Sequence, residues 1–230
     1  MLESMRKHMN WIMWVILVLI IVTFMFFGIY PSASSGGVAA KVDGYVITTT
    51  EVNRVHKNMV ENYRQIFKDQ FSDALSKSLR SQALRELVQN RLLIQEAERI
   101  GIRVSDEELQ ASIMKIPAFN QQGRFDKTTY DRYLNYVNIT PAVFEASQRE
   151  SLLRQKLENI VEDGVDATDV ELAAAYASRN PKAKAGEFEK KKDSFKQTFL
   201  TEKRRTALEA YVQGLQKKAT VKMNEKALES

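Results

Sequence analysis

The sequence predicts a mainly α-helical protein: an N-terminal single transmembrane helix, then a helical domain with a small β-sheet joining its N- and C-terminal ends. Three observations predict it. Apolar residues recur at spacings of three and four along most of the chain, the pattern of helices with one buried face. Only four prolines and nine glycines interrupt 230 residues, so the helices are long. Trp11 to Tyr30 is a run of twenty residues without a charge, which at about 1.5 Å per residue spans the roughly 30 Å hydrocarbon thickness of a bilayer.

Residues 1–10 form a short polar N-terminus with Arg6 and Lys7. The span 11–30 follows, with Trp11, Trp14 and Tyr30 near its ends, where amphipathic rings prefer the interface. No Lys or Arg follows until Lys41, so the positive-inside bias puts the N-terminus in the cytoplasm and residues 31–230 outside. A cleaved signal peptide is the rival reading, with Ser32-Ala33-Ser34 as a small-residue site. The apolar run exceeds the ~7–15 residues of a typical signal core, which favours an uncleaved anchor.

Residues 31–37, rich in Ser and Gly, read as a flexible linker. Residues 38–230 form the outer domain. Val38–Ile47 reads as two short strands around an Asp43-Gly44 turn. Thr48 and Glu51 make a capping box, which starts a helix near Thr49 that runs to about Phe71. A second helix covers 79–100, with Leu84, Leu87, Val88, Leu92, Ile94 and Ala97 on its apolar side, and Gly101 stops it. Ser105 and Glu108 make another capping box, for a helix that ends before Pro117. Phe119 to Phe125 reads as a loop. Asp126 or Thr128 caps the next helix, and Thr140-Pro141 opens one reaching about Asp163. Thr168 and Glu171 start a helix to about Tyr176. Asn180-Pro181 is a break, then Glu187 to about Lys218 is one long helix. Residues 219–223 read as a strand that pairs with 39–42.

Several classes of chemistry find no residues. There is no cysteine, which removes disulfides, thiolate nucleophiles and Cys-ligated zinc, and fits an oxidising compartment. The two histidines are His8 and His56. Only His56 lies in the outer domain, so no Ser-His-Asp set and no His-rich metal site can be built there. No Gly-rich phosphate loop occurs. Carboxylates alternate with Lys and Arg in helix-surface patterns, such as Glu86 with Asn90 and Arg91, and Glu96 with Arg99. The net charge of +5 is dispersed in the same way, which is no nucleic-acid footprint. Between Lys182 and Arg205 nine Lys/Arg stand against four Asp/Glu. This is the solvent face of a helix, with contact to anionic headgroups as the alternative. What remains is apolar: Met59, Met114, Phe119, Phe125, Tyr130 and Tyr133, with Met223 near the C-terminus. Met and aromatic side chains make adaptable contacts suited to varied extended chains.

These residues also carry a family pattern. Val42-Asp-Gly44, Ile47-Thr and Glu51 begin it. Leu92-Leu93-Ile94 through Gly101 to Glu108 continues it. It is most specific at Ile116-Pro-Ala-Phe119, Gly123-Arg-Phe-Asp126, Tyr130 and Pro141-Ala-Val-Phe-Glu145. Over residues 1–176 the chain resembles the SurA N-terminal-like chaperone domain, in the form found in PpiD-type membrane-anchored periplasmic folding factors. In that family a parvulin-type prolyl isomerase domain usually follows the segment corresponding to 165–176. Here that insert is missing near 177–186, and helix 187–218 with its strand resembles the piece that completes the chaperone domain after it.

The resemblance implies an inner-membrane protein with a periplasmic domain that binds unfolded exported polypeptides without ATP. The expected cradle lies between the helices of 50–162 and the C-terminal helix. Met59, Met114, Phe119, Phe125, Tyr130 and Tyr133 are the candidate client-binding residues. Trp11, Trp14 and Tyr30 are the anchor residues. The membrane and the secretion translocon are expected partners, nucleic acid is not, and no catalytic residue, metal or cofactor is expected. Two alternatives stay open: prolyl isomerase activity, and a structural subunit of an envelope or translocon-associated complex.

Overall fold

The computed structural model describes residues 37–68, 71–182, 184 and 186–224. The expected anchor, with Trp11, Trp14 and Tyr30, and nearly all of the linker lie outside the described residues. Among the described residues no helix is long and apolar enough to cross a membrane.

The domain is mainly helical, with one three-stranded sheet and one very short hairpin. Strand β1 (Val38–Val42) and β2 (Tyr45–Thr48) form an antiparallel hairpin. Its turn residues Asp43 and Gly44 both take positive φ, +47° and +89°, the geometry a two-residue hairpin favours. The C-terminal strand β5 (Val221–Met223) pairs antiparallel with β1 on the other side, matching Ala40 with Met223 and Val42 with Val221. The sequence predicts this closure. Side chains reinforce it: Thr220 N–H donates to Asp43 Oδ1 at 2.7 Å, and Asn224 Nδ2 donates to Val38 O at 3.1 Å.

Helix α1 (Thr49–Phe67) starts at the predicted Thr48–Glu51 capping box but ends before Phe71. Helix α2 (Asp73–Arg99) begins six residues earlier than apolar spacing predicts, because Ser72 caps it by accepting from Leu75 N–H. Gly101 follows with φ +88°, as predicted, and Ile102 N–H donates back to Ala97 O at 2.9 Å. This is a glycine-terminated helix end. Helix α3 (Asp106–Met114) carries the Ser105–Glu108 capping box.

Pro117–Phe119 is a single 3-10 turn. The expected loop after it is a hairpin of β3 (Asn120–Gln121) and β4 (Arg124–Phe125), turned by Gln122 and Gly123 at φ +50° and +79°. Helix α4 (Lys127–Tyr136) is capped by Asp126, and α5 (Pro141–Asp163) by Thr140 with Pro141 at its first position. Helix α6 (Asp169–Arg179) runs three residues past Tyr176, and α7 (Glu187–Lys218) is the long C-terminal helix.

Two apolar cores result. One packs β1 and β2 against α1 and the first part of α2, through Ala39, Val42, Ile47, Val52, Leu84 and Val88. The other gathers the end of α2 with α3, α4, α5 and Val212 of α7, around Phe119, Leu134 and Leu157. Helix α2 joins them, giving Leu92 to the first and Leu93 to the second. Arg91 does not answer Glu86 on its own helix. Its guanidinium lies 3.6 Å from the centre of the Tyr45 ring and bonds Glu150 at 3.1 Å, linking sheet, α2 and α5. The expected Glu96–Arg99 pair is present at 2.6 Å.

Candidate functional site: an aromatic-floored pocket

The short segment 116–126 sets the site. Pro117 fixes the backbone at the start of its turn, and Asp126 N–H donates to Phe119 O at 2.8 Å, closing the hairpin. This drives Phe119 inward. Its ring meets Tyr130, Tyr133 and Phe144 at centroid distances of 5.2, 5.3 and 5.6 Å, at interplanar angles of 90°, 64° and 73°. Edge-to-face packing of this kind suits the ring quadrupoles. Phe125 adds a contact to Tyr130 at 5.9 Å.

Beside this cluster lies an open pocket of about 540 Å³ between α3, β4, the start of α4 and the start of α5. Leu109, Ile113, Met114, Phe125 and Tyr130 supply its apolar wall, and Asp106, Gln110, Lys127, Glu145 and Arg149 its polar side. Burial raises the Tyr130 phenol above its ordinary value, and the Glu145 and Asp131 carboxylates add to the shift. Asp126 is held below the usual carboxylate range by the Thr129 hydroxyl and backbone N–H that it accepts from, and it thereby fixes α4.

The six sequence-predicted residues divide. Phe119 is 1% and Tyr130 7% exposed, so both belong to the core and form the floor, not the surface. Met114 and Tyr133 are 43% and 42% exposed, and Phe125 is half-buried. Met114, Phe125 and Tyr130 line one pocket, with Phe119 and Tyr133 in contact around it. Met59 is apart from them, half-buried on α1 against the sheet core. Met223 is exposed on β5. Sequence reasoning passes over Leu109, Ile113, Lys127 and Arg149, and meets Glu145 only as part of the family pattern. Nothing local singles them out, and only the folding of α3 onto α5 brings them to one mouth.

The expected cradle under the C-terminal helix is filled. Leu208, Tyr211, Val212 and Leu215 of α7 pack into the core against α2 and α5. The first half of α7 packs on α6 instead, with Tyr176 5.2 Å from Phe188 and 5.1 Å from Phe195. Two cations of its basic run are spent there, Lys192 on Asp169 and Lys203 on both Glu171 and Asp166 O, while Glu202 receives Arg179. His56 lies in a structural role, its Nε2 2.9 Å from Ser76 O. Among the described residues no group of three or more potential metal ligands occurs.

Comparison with known proteins gives the context. The family described as "SurA-like N-terminal domain" matches residues 1–158. The chain is 31% identical over 194 residues to the periplasmic chaperone PpiD of Escherichia coli K12, covering 78% of this chain and 30% of that protein. It is 29% identical over 151 residues to PpiD of Haemophilus influenzae, covering 63% and 24%. It is 29% identical over 144 residues to the chaperone SurA of Vibrio parahaemolyticus, covering 59% and 32%. The chain thus spans about a third or less of the length of these curated relatives. A solved structure from work on PEB4 and Cj1289, described as two structurally related SurA-like chaperones of Campylobacter jejuni, superposes with a TM-score of 0.53 at 15% identity. It covers 81% of this chain and 98% of that one. At that identity the likeness speaks for the fold. The chain belongs to the family of SurA-like N-terminal domain proteins, of the PpiD type.

Proposed function

We propose that this protein is an inner-membrane-anchored periplasmic chaperone that binds unfolded exported polypeptides without ATP. The observation that carries the reading is the pocket beside Phe119: an apolar wall with a polar side, open to solvent, in a chain whose relatives are named periplasmic chaperones. The anchor at 11–30 and the outward orientation of 31–230 rest on the uncharged run and the Arg6-Lys7 bias. Binding and release are the whole of the work, so no residue is catalytic.

The size of the pocket supports release without an energy source. Burying one large apolar side chain stabilises a complex by about 1.5–3 kcal/mol. Association costs offset part of that, so a client held by one or two such anchors stays in the micromolar-to-millimolar range and leaves spontaneously. Tethering compensates by raising the local concentration of sites near emerging chains. Met114 in the pocket wall and Tyr133 beside Phe119 are both exposed and extend the apolar contact surface. Phe125 contributes from the rim.

The test uses the full chain in lipid nanodiscs and an unfolded outer-membrane protein, with aggregation followed by light scattering at stoichiometric ratios. Suppression is expected. A folded protein that fails to suppress, and instead co-purifies with one stoichiometric companion, would move the assignment to a structural subunit. Acceleration in a protease-coupled prolyl cis/trans assay would overturn the non-enzymatic reading.

A further inference from the structure

Two features of the pocket specify its ligand more narrowly than apolar surface does. The first is the Tyr130 hydroxyl. The residue is 7% exposed and lines the pocket, yet its oxygen has no hydrogen-bond partner among the described residues. A buried hydroxyl left unpaired is costly, and such groups in native proteins call for an explanation. The second is the charge balance at the mouth. Four charged residues line it. Lys127 is taken by Asp131 at 2.6 Å, and Asp106 by Arg149 at 2.6 Å. Arg149 stands one helical turn beyond Glu145, the natural position for a pair. Its guanidinium is instead committed to Val104 O and Asp106. Glu145 therefore makes no ion pair among the described residues, and the uncompensated charge at the mouth is negative.

Resting on the chaperone reading, we infer that this pocket recognises an extended peptide segment in which a bulky apolar residue stands next to a Lys or Arg. The apolar side chain fills the space against Ile113, Met114 and Phe125. A small rotation of the Tyr130 ring, whose oxygen is closed off from solvent in the free protein, lets the hydroxyl donate to a peptide carbonyl. Glu145 pairs with the neighbouring cation. Glu145 and Tyr130 line the same pocket. Hydroxyl and carboxylate thus address adjacent parts of one ligand. The class follows from the three needs together: an apolar anchor, a backbone acceptor and a positive charge within one or two residues.

The test uses the full chain in nanodiscs and two fluorescein-labelled nine-residue peptides in a Gly-Ser frame, each with one Phe. One carries Lys two residues from the Phe, the other Glu. By fluorescence anisotropy at low salt, the Lys peptide is expected to bind about two- to fivefold more tightly, a preference that fades with salt. Glu145→Gln erases the preference and Glu145→Lys reverses it. Tyr130→Phe keeps the ring and weakens both peptides equally, by about two- to tenfold. A preference that survives Glu145→Lys, or binding unchanged in Tyr130→Phe, overturns the assignment, as does concentration-dependent self-association abolished by Glu145→Lys, which would seat a second copy in the pocket. Light scattering on the same samples separates the two levels. Aggregation suppression with peptides blind to both substitutions leaves the chaperone reading standing and removes this site. The stated peptide preference without suppression does the reverse.

Discussion

Replacing Phe119 with Ala separates a floor from a binding surface. Phe119 is 1% exposed and holds three edge-to-face ring contacts, to Tyr130, Tyr133 and Phe144. Truncating such a side chain typically costs about 3–5 kcal/mol, the transfer loss plus the cavity. A domain of this size holds about 5–15 kcal/mol in total, so the variant loses a large fraction of its stability. Tyr133 is 42% exposed, and Tyr133→Ala removes one ring contact from a half-open position, for a loss of about 1 kcal/mol or a little more. The assay is urea unfolding of the full chain in a mild detergent, followed by far-UV circular dichroism. With a slope of about 2 kcal/mol per molar urea, Phe119→Ala lowers the midpoint by about 1.5–2.5 M and Tyr133→Ala by about 0.5 M. Peptide binding, measured where both variants remain folded, falls for Tyr133→Ala. The reasoning is refuted if Phe119→Ala unfolds at a midpoint no lower than Tyr133→Ala while losing binding, because Phe119 would then be a contact and not the floor.

Three further outcomes follow from local geometry. Tyr130→Phe removes a buried hydroxyl without a protein partner, so the free protein is expected to be as stable or up to about 1 kcal/mol more stable, by the same urea midpoint; a loss of 2 kcal/mol would mean the hydroxyl is already bonded. Gly101→Ala places a Cβ at φ +88° with open space around it, so the cost is backbone strain alone, about 1 kcal/mol, and Gly101→Asn should recover part of it. Asp126, Glu108 and Glu171 all lie below the ordinary carboxylate range. The main causes are the Thr129 hydroxyl, the Lys156 ammonium and the Thr168 backbone N–H respectively. Their folded pKa values are depressed, so their contribution is complete above the unfolded value of about 4 and is lost as pH falls through the folded values. Midpoints should stay level from pH 7 to about 5 and drop below about 4, less steeply in a variant with Asp126→Asn, Glu108→Gln and Glu171→Gln.

What could be read from the sequence was whatever depends on neighbours a few residues away. The Thr48, Ser105 and Thr168 capping boxes, the Gly101 stop and the Thr140-Pro141 start are all local hydrogen-bond or dihedral requirements, and each stands where the residues put it. The pairing of 219–223 with 39–42 is also legible, because a lone strand at the end of a helical chain has only the N-terminal hairpin to pair with. The errors share one cause. Apolar spacing starts α2 late because residues 73–78 carry little apolar signal. Gln122-Gly123 gives no hairpin signal because Gln is an unusual residue at positive φ. Phe119 and Tyr130 stand among the candidate contacts although both are buried, because loop position and aromatic character cannot distinguish a wall from a floor. Glu145 stands in the family pattern, but its role at the mouth is not readable there, for a different reason. Its importance lies in what Arg149 does not do, and Arg149 is drawn away by Val104 and Asp106, residues more than forty positions earlier.

The fold also accounts for how such a chain can accept or omit a module between α6 and α7. Strand β5 returns to β1, and Val212 and Leu215 of α7 reach the cores, so the domain is closed by its own C-terminal piece. Among the described residues, those between α5 and residue 208 belong to neither core. Helix α6 rests on the first half of α7 through Tyr176, Phe188 and Phe195 and through charged pairs at the surface. Helices α6 and α7 therefore pair as a helical hairpin that is no strut of either core. Loop-closure cost grows only slowly with length, by about 0.6 kcal/mol per doubling, so a long insertion between them would disturb the hairpin and leave both cores intact. The aromatic-floored pocket lies on the other side of that accounting. Its wall comes from α3, β4, α4 and α5, elements set before the hairpin begins. On this reading, peptide binding by the pocket is independent of whatever is inserted between α6 and α7. Grafting a small folded domain between Pro181 and Gly186 should leave the affinity for the Lys-flanked peptide within about twofold, since sites that share no partners act additively, and a larger loss would place the hairpin within the binding surface.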